Sequence, residues 1–456
     1  MNYREETDSI GTIRVPEDAY YGPQTRRAMD NFPVSGLRLP PVFIRCLALI
    51  KKHAAEVNSE LGLIDPEIAR AVSRAADEVW AGGFIDQFAV DVFQTGSGTS
   101  TNMNMNEVVS TRANELLSGE KRTKGRVHPN DHVNRCQSSN DAIPTTIHMA
   151  AAILLKERLV PALNVLHREL VVKTEAFSGI RKIGRTHLQD AVIMTLGDEF
   201  SGYARQVELG MHRLEPVLAR LRSLPLGGTA VGTGLNAHPA FAKKVIAAIA
   251  GATRIDFHET TNHFESQAAF DAAVETSGAL KTVAVSMTKI ANDIRWLASG
   301  PRCGLGEIRI PSLQPGSSIM PGKVNPVIPE AVIQVAAQVI GNDTAITLGG
   351  AGGYFELNLM LPLIAYNLIQ SIELLANAAG LLADRCVAGI TPDEERCAAN
   401  IRKSLAVVTN LVPYIGYDRA AEIAHKAYAA GTTVEAVARE ENVLPGEDLE
   451  AILYGK

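Results

Sequence analysis

The chain has 456 residues, room for two or three domains and a large core, and 46% of it is hydrophobic with only 5% aromatic, so Ala, Leu, Val and Ile fill the interior. That composition favours close-packed helices over a β-sandwich, and a net charge of −6 argues against nucleic acid as a partner. No run of about 18 uncharged apolar residues is present to span a membrane, Met1–Glu6 carry no apolar signal core, and five cysteines without a C-x-x-C pair point to reduced thiols in the cytoplasm.

In chain order, Gly11–Pro16 reads as a short extended piece and Pro41 to Leu61 as a helix. Asp65-Pro66-Glu67 opens the next helix, with Asp65 as N-cap and Pro66 at the first helical position; it runs to Trp80, and Gly82-Gly83 stop it. Gln94 to Glu107 alternates small hydroxyl residues and glycines, which offer donors to an anion and also suit a helix start before the helical stretch Val108 to Leu117. His128 and His132 resemble a metal pair, but Pro129 breaks the helical spacing and no third ligand is near, so no metal is expected.

From Ala142 to about Phe177 the pattern is helical, ~50 Å long at the standard rise, with a bend expected at Pro161. Gly184–Asp190 interrupts, and Thr195 to Leu224 is a second long run. Gly227–Gly234 is a glycine loop that does not spell the dinucleotide fingerprint, and His258-Glu259 with His263 is one residue too long for the zinc-protease motif. Ser266 to Ala298, Pro329 to Leu348 and Phe355 to Leu382 complete five long segments, small and apolar on many faces. Such helices need neighbours all round, so bundles from several subunits are expected to merge. Thr391-Pro392-Asp393-Glu394 reads as a capping box, with Thr391 as N-cap and Glu394 at N3, opening shorter helices broken by Pro413, Gly416, Gly431 and Pro445. The expected domains are residues 1–137, 138–390 and 391–456.

The densest polar stretch is Gly316-Ser317-Ser318-Ile319-Met320-Pro321-Gly322-Lys323-Val324-Asn325-Pro326. Its glycines and prolines demand a special backbone path, and its hydroxyls, amide and ammonium suit an anion. It is not a P-loop: one residue too many separates Gly316 from Gly322-Lys323, and Val324 stands where that motif needs Ser or Thr. With residues 97–101, 138–140 and 186–187 it makes four polar clusters far apart in sequence, which long helices can gather at bundle ends. Removing a proton beside a carboxylate needs such donors, with a base on one face and an acid on the other.

The Gly316–Pro326 string, together with Gly96-Ser97-Gly98-Thr99, Asn102-Met103-Asn104, His128-Pro129-Asn130-Asp131, Ser138-Ser139-Asn140-Asp141 and Gly184–Asp190, resembles the fumarase/aspartase superfamily, and within it the class II fumarate hydratases. The resemblance implies an all-α fold in which five long helices per subunit merge into a twenty-helix core in a homotetramer. It implies reversible anti addition of water to fumarate giving (S)-malate in the tricarboxylic acid cycle, with no metal or other cofactor and with each active site drawing on three subunits. By position it makes Ser317 the base for the C3 proton and His187, oriented by Glu330, the group that handles water. It places substrate against Ser97, Gly98, Thr99, Ser138, Ser139, Asn140, Thr186, Ser318, Lys323, Val324 and Asn325, and a second dicarboxylate site at His128, Pro129, Asn130 and Asp131. There, Gly125 stands where bacterial members often carry an arginine, with Arg126 adjacent. Asp18-Ala19-Tyr20-Tyr21-Gly22, His132 and Cys136 resemble the sister aspartate ammonia-lyases, whereas Ser139, His187 and Asn262–Ala268 follow the fumarase pattern. A structural homologue without catalysis is the remaining alternative, but it would be expected to show a damaged site.

Overall fold

A computed structural model describes residues 2–121 and 124–455. The chain is predominantly helical, as composition and periodicity predict, and its few strands are short pairs. It divides into two compact units, the first made of Met1–Pro161, Gly210–Ala284 and Val335–Asn377, the second of Ala162–Leu209, Val285–Gln334 and Ala378–Lys456.

In the first unit the expected single extended piece is half of a hairpin, β1 (Tyr3–Asp8) against β2 (Gly11–Pro16). The Asp8 carboxylate accepts from Ile10 and Gly11 N–H to close the turn, where Gly11 has φ +140°. Helix α1 (Pro23–Asn31) is tied down by the buried Glu107 carboxylate, which accepts from the N–H groups of Gly22, Gln24 and Thr25 and from the Thr25 hydroxyl. Helix α2 (Pro41–Glu60) packs against α3 (Pro66–Trp80), whose N-cap is Asp65, accepting from Glu67 and Ile68 N–H as the sequence predicts. Helices α4 (Thr99–Ser118) and α5 (Ser139–Leu154) lie beside them.

The long run after α5 continues through one π-helical turn, Leu155–Leu159, into α6 (Val160–Ala176). Pro161 has no N–H to close an α-helical bond, and the wider turn just before it absorbs the mismatch. Helices α7 (Leu196–Leu221), α8 (Phe241–Thr253), α9 (His263–Ala268), α10 (Asp271–Leu297), α11 (Val327–Gly350) and α12 (Leu361–Arg385) follow. The division into units falls inside five of these long helices: α6, α7, α10, α11 and α12.

Three boundaries differ from expectation. The predicted helix from Ser266 is interrupted: Ser266–Ala268 end α9, Phe270 turns left-handed at φ +63°, and α10 begins at Asp271. The segment from Phe355 begins as a hairpin pairing Gly353–Tyr354 with Leu357–Asn358, so α12 starts only at Leu361. Thr391 is not an N-cap. Thr391–Pro392 pair with Ile308–Arg309, which takes Thr391 out of the helix, and Asp393 caps Glu394–Lys403 by accepting from Arg396 N–H. In the second unit, β3 (Arg181–Thr186) and β4 (Gln189–Thr195) form a hairpin; Ile183 of β3 is buried with Ile401, Leu411, Ile423, Leu449 and Leu453 of the C-terminal helices.

Candidate active site

The Gly316–Pro326 loop is folded back on itself. Gly316 N–H donates to Lys323 O at 2.8 Å, Asn325 Nδ2 donates to Gly316 O at 2.7 Å, and Gly322 takes φ +81°. A Cβ at Gly316 would stand 2.5 Å from Lys323 O, so only glycine closes the loop this way. Inside it, Ser317 Oγ accepts from the N–H groups of Ile319 at 3.2 Å and Met320 at 3.0 Å. Two amides aimed at a hydroxyl oxygen would stabilise that oxygen when deprotonated. A cavity of about 520 Å³ is lined by Ser312–Ser317 and Met320–Val324, so Lys323 shares it with Ser317. Ser318 and Val324 are exposed, and Glu330 falls in the first turn of α11, where free backbone N–H groups favour a carboxylate.

His187 sits with Leu188 at the tip of the β3–β4 hairpin, between Thr186 and Gln189. Their φ values are +57° and +61°, the geometry of a type I′ turn, which usually demands Asn or Gly. His187 is thus held left-handed on an exposed tip, a conformation that costs local strain. The hairpin is anchored from below. Arg185 makes a two-pronged pair with Glu307, Nη2 to Oε1 at 2.6 Å and Nη1 to Oε2 at 2.9 Å. Asn400 Nδ2 donates to the same carboxylate at 3.0 Å, and the buried Lys182 ammonium lies 3.4 Å from it and 3.0 Å from Glu199. Burial would raise the Glu307 carboxyl, but Arg185, Lys182 and Asn400 outweigh it and hold it below the usual range. No hydrogen bond joins His187, Ser317 and Glu330 to one another among the described residues.

The first unit holds the remaining donors. Gly98 begins α4 at φ +74°, with Ile143 of α5 2.9 Å from where its Cβ would be. Ser97 Oγ and Thr99 Oγ1 are 2.8 Å apart at the helix start, so each can donate to the other or turn to a ligand. Ser138 caps α5 in a full capping box with Asp141, and Ser139 Oγ accepts from Asn102 Nδ2 at 3.1 Å. Asn140 Nδ2 donates to Ala230 O at 2.8 Å. Thus 97–99 and 138–140 are two helix N-termini joined by Asn102 and Ile143, each rich in N–H groups suited to an anion.

The glycine loop, which the sequence left without a role, belongs to this cluster. The buried Asp141 carboxylate accepts from Gly227 and Thr229 N–H, 3.0 Å each, and Gln267 Nε2 donates to the carbonyls of Thr229 and Asn140. Burial pushes the Asp141 carboxyl up against the pull of these N–H groups. A Cβ on Gly228 would meet Gln267 Oε1 at 2.0 Å, which explains the glycine. Asp141, Gln267, Glu307 and the buried Lys51 hydrogen-bond across these segments, and pattern reading assigned them no role because their partners lie far off in the chain.

At 128–131 the geometry is a cap. His128 Nδ1 accepts from Asn130 and Asp131 N–H, and His132 Nδ1 accepts from His128 N–H. Arg126 is engaged by Glu67 at 2.6 Å, and a Cβ at Gly125 would be 2.5 Å from Asn114 Oδ1. A second dicarboxylate there would have to be held by exposed groups beside the negative Asp131. No group of three or more His, Cys, Asp and Glu suited to a metal ion occurs among the described residues.

Comparison with known proteins shows the family. A family model described as Lyase matches residues 11–341, and one described as Fumarase C C-terminus matches residues 407–454. A Nitrosomonas europaea protein named fumarate hydratase class II is 56% identical over 436 residues, 96% of this chain and 94% of its own. Fumarate hydratase 1, mitochondrial, of Arabidopsis thaliana is 50% identical, covering 99% and 92% respectively. The crystal structure of class II fumarase from Schistosoma mansoni superposes with a TM-score of 0.96 at 39% identity, over 99% of this chain and 98% of that one. With these likenesses running through both units and through every polar cluster described above, the chain belongs to the class II fumarate hydratase family.

Proposed function

We propose that this chain adds water reversibly and in anti fashion across the double bond of fumarate to give (S)-malate, a hydro-lyase reaction. The observation that carries the assignment of roles is the pair of amides on Ser317 Oγ. In the malate-to-fumarate direction the deprotonated Ser317 takes the C3 proton, and its N–H pair together with Lys323 offsets the charge on the oxygen beforehand. The electrons left on C3 delocalise into the adjacent carboxylate, where Lys323, Asn325 and the 97–99 and 138–140 helix starts supply donors. The C2 hydroxyl leaves as water after receiving a proton by way of His187, with Glu330 as the carboxylate that orients the imidazole. In the other direction the same atoms move back.

Four copies, with each site drawing on three of them, fit the separation of the donors along one chain. No helix among the described residues is long and apolar enough to cross a membrane, and the relatives include proteins named as mitochondrial, so family membership does not fix the compartment.

The test is an assay of fumarate absorbance with and without ammonium. Loss of fumarate without ammonium is expected; loss only with ammonium would make the chain an aspartate ammonia-lyase, and no loss would make it a structural homologue. Ser317→Ala should cut turnover by about 10²–10⁴-fold with melting and assembly unchanged; near-normal turnover would remove Ser317 from the mechanism.

A further inference from the structure

Lys51 lies fully buried on α2, among Leu47, Ile50 and Ala54, and the reaction scheme gives it nothing to do. Its ammonium donates to Asn134 Oδ1 and to Gln137 Oε1, both at 2.9 Å. An ammonium only donates, so it obliges both amides to present their oxygens. Their NH₂ groups are thereby turned outward. Asn134 Nδ2 donates to Gln137 O, and Gln137 Nε2 donates to Val133 O and Arg135 O. One charge thus orders the turn that delivers the chain to Ser138. The link continues upward, because Asn102 Nδ2 lies 3.1 Å from both Asn134 Oδ1 and Ser139 Oγ.

The charged surroundings are sparse. Asp141 of α5 is the charged group that pulls on Lys51. Asn102 faces the cluster from α4, while α3 and α8 direct Asp77 and Lys244 to Lys52 and Glu60 instead. Holding this turn in place would need only a neutral donor. A cation in such a site costs stability, and here it stands behind a helix start built to receive an anion.

We propose that Lys51 is a positioning residue for the dicarboxylate substrate: it fixes the turn that presents Ser138, Ser139 and Asn140, and it places a buried positive charge behind them. The inference rests on the reading of those three residues as substrate contacts. Burial brings the Lys51 ammonium down to about 7 against the opposing pull of Asp141, so the charge behind the site is lost as pH rises through neutrality. Substrate affinity then falls on the alkaline side.

The experiment compares the full-length protein with Lys51→Gln and Lys51→Arg, following fumarate hydration across about pH 6 to 9, with melting and sedimentation as controls. Lys51→Gln should raise KM about tenfold with kcat changed far less, and should abolish the alkaline rise of KM. Lys51→Arg should recover part of the lost affinity. A folded Lys51→Gln with unchanged KM and an unchanged alkaline limb would overturn the proposal, as would loss of kcat and melting temperature at constant KM. Should neither variant fold, the unmodified protein decides: the dissociation constant of succinate, an unreactive dicarboxylate, should rise above about pH 7, and a flat profile refutes the idea. Ser139→Ala separates the premise from the inference, because a KM left unchanged there removes the substrate reading itself, whatever Lys51 does.

Discussion

His148 shows how a single side chain ties this fold to pH. It is buried in α5, its Nδ1 lies 2.8 Å from Ser223 O, and its ring meets Phe270 edge-on at 5.9 Å. Burial lowers it to about 4, against the opposing pull of the Ser223 carbonyl. The unfolded histidine titrates near 6.5, so below that pH the unfolded chain takes up a proton that the folded one refuses. Stability is therefore intact above about pH 6.5 and lost as pH falls towards about 4, by about 3 kcal/mol from this group. Melting curves of His148→Gln should lose less with acid than those of the unmodified chain; parallel losses would remove His148 as a cause. Nothing in the neighbouring sequence, Thr146-Ile147-His148-Met149, announces this, because the partners come from residues 223 and 270.

At the scale of elements, the β3–β4 hairpin depends on its buried charges. Removing the Glu307 carboxylate takes from Arg185 its two-pronged partner and leaves the buried Lys182 with Glu199 as its one remaining carboxylate among the described residues. Glu307→Gln is expected to destabilise by about 3–5 kcal/mol and to lower kcat by loosening the His187 tip. Limited proteolysis within 184–195 and a lowered melting temperature would report it, and a variant with unchanged melting would show the network to be dispensable. Helices with strong punctuation were legible: Asp65-Pro66 marks the start of α3, and Pro161 marks the π turn. The hairpins and breaks were not. His187-Leu188, Phe270 and Phe355 take positive φ at a turn or helix break where no glycine or asparagine occupies the position itself. Tertiary anchoring outweighs the local preference there.

For the molecule as a whole, large apolar side chains stand exposed on the long helices and beside them. Val285 and Trp296 of α10, Leu348 of α11 and Phe355, the last 94% exposed, are examples. They fit burial against further copies of the chain, which agrees with the proposed tetramer. Sedimentation should give four chains per particle, and a single chain with full turnover would contradict shared sites.

The amino-acid sequence alone determined the helical class and the run of long segments, because periodicity, caps and glycine-rich turns are written within a few neighbouring residues; the roles proposed for Ser317, His187 and Glu330 rest on the family resemblance. Only tertiary structure decided that Arg185 meets Glu307, that Asp141 holds the glycine loop, and that Lys51 orders the turn before Ser138. Those partners lie dozens of residues apart, and a charge pair or amide bond across such a distance leaves no local pattern to read.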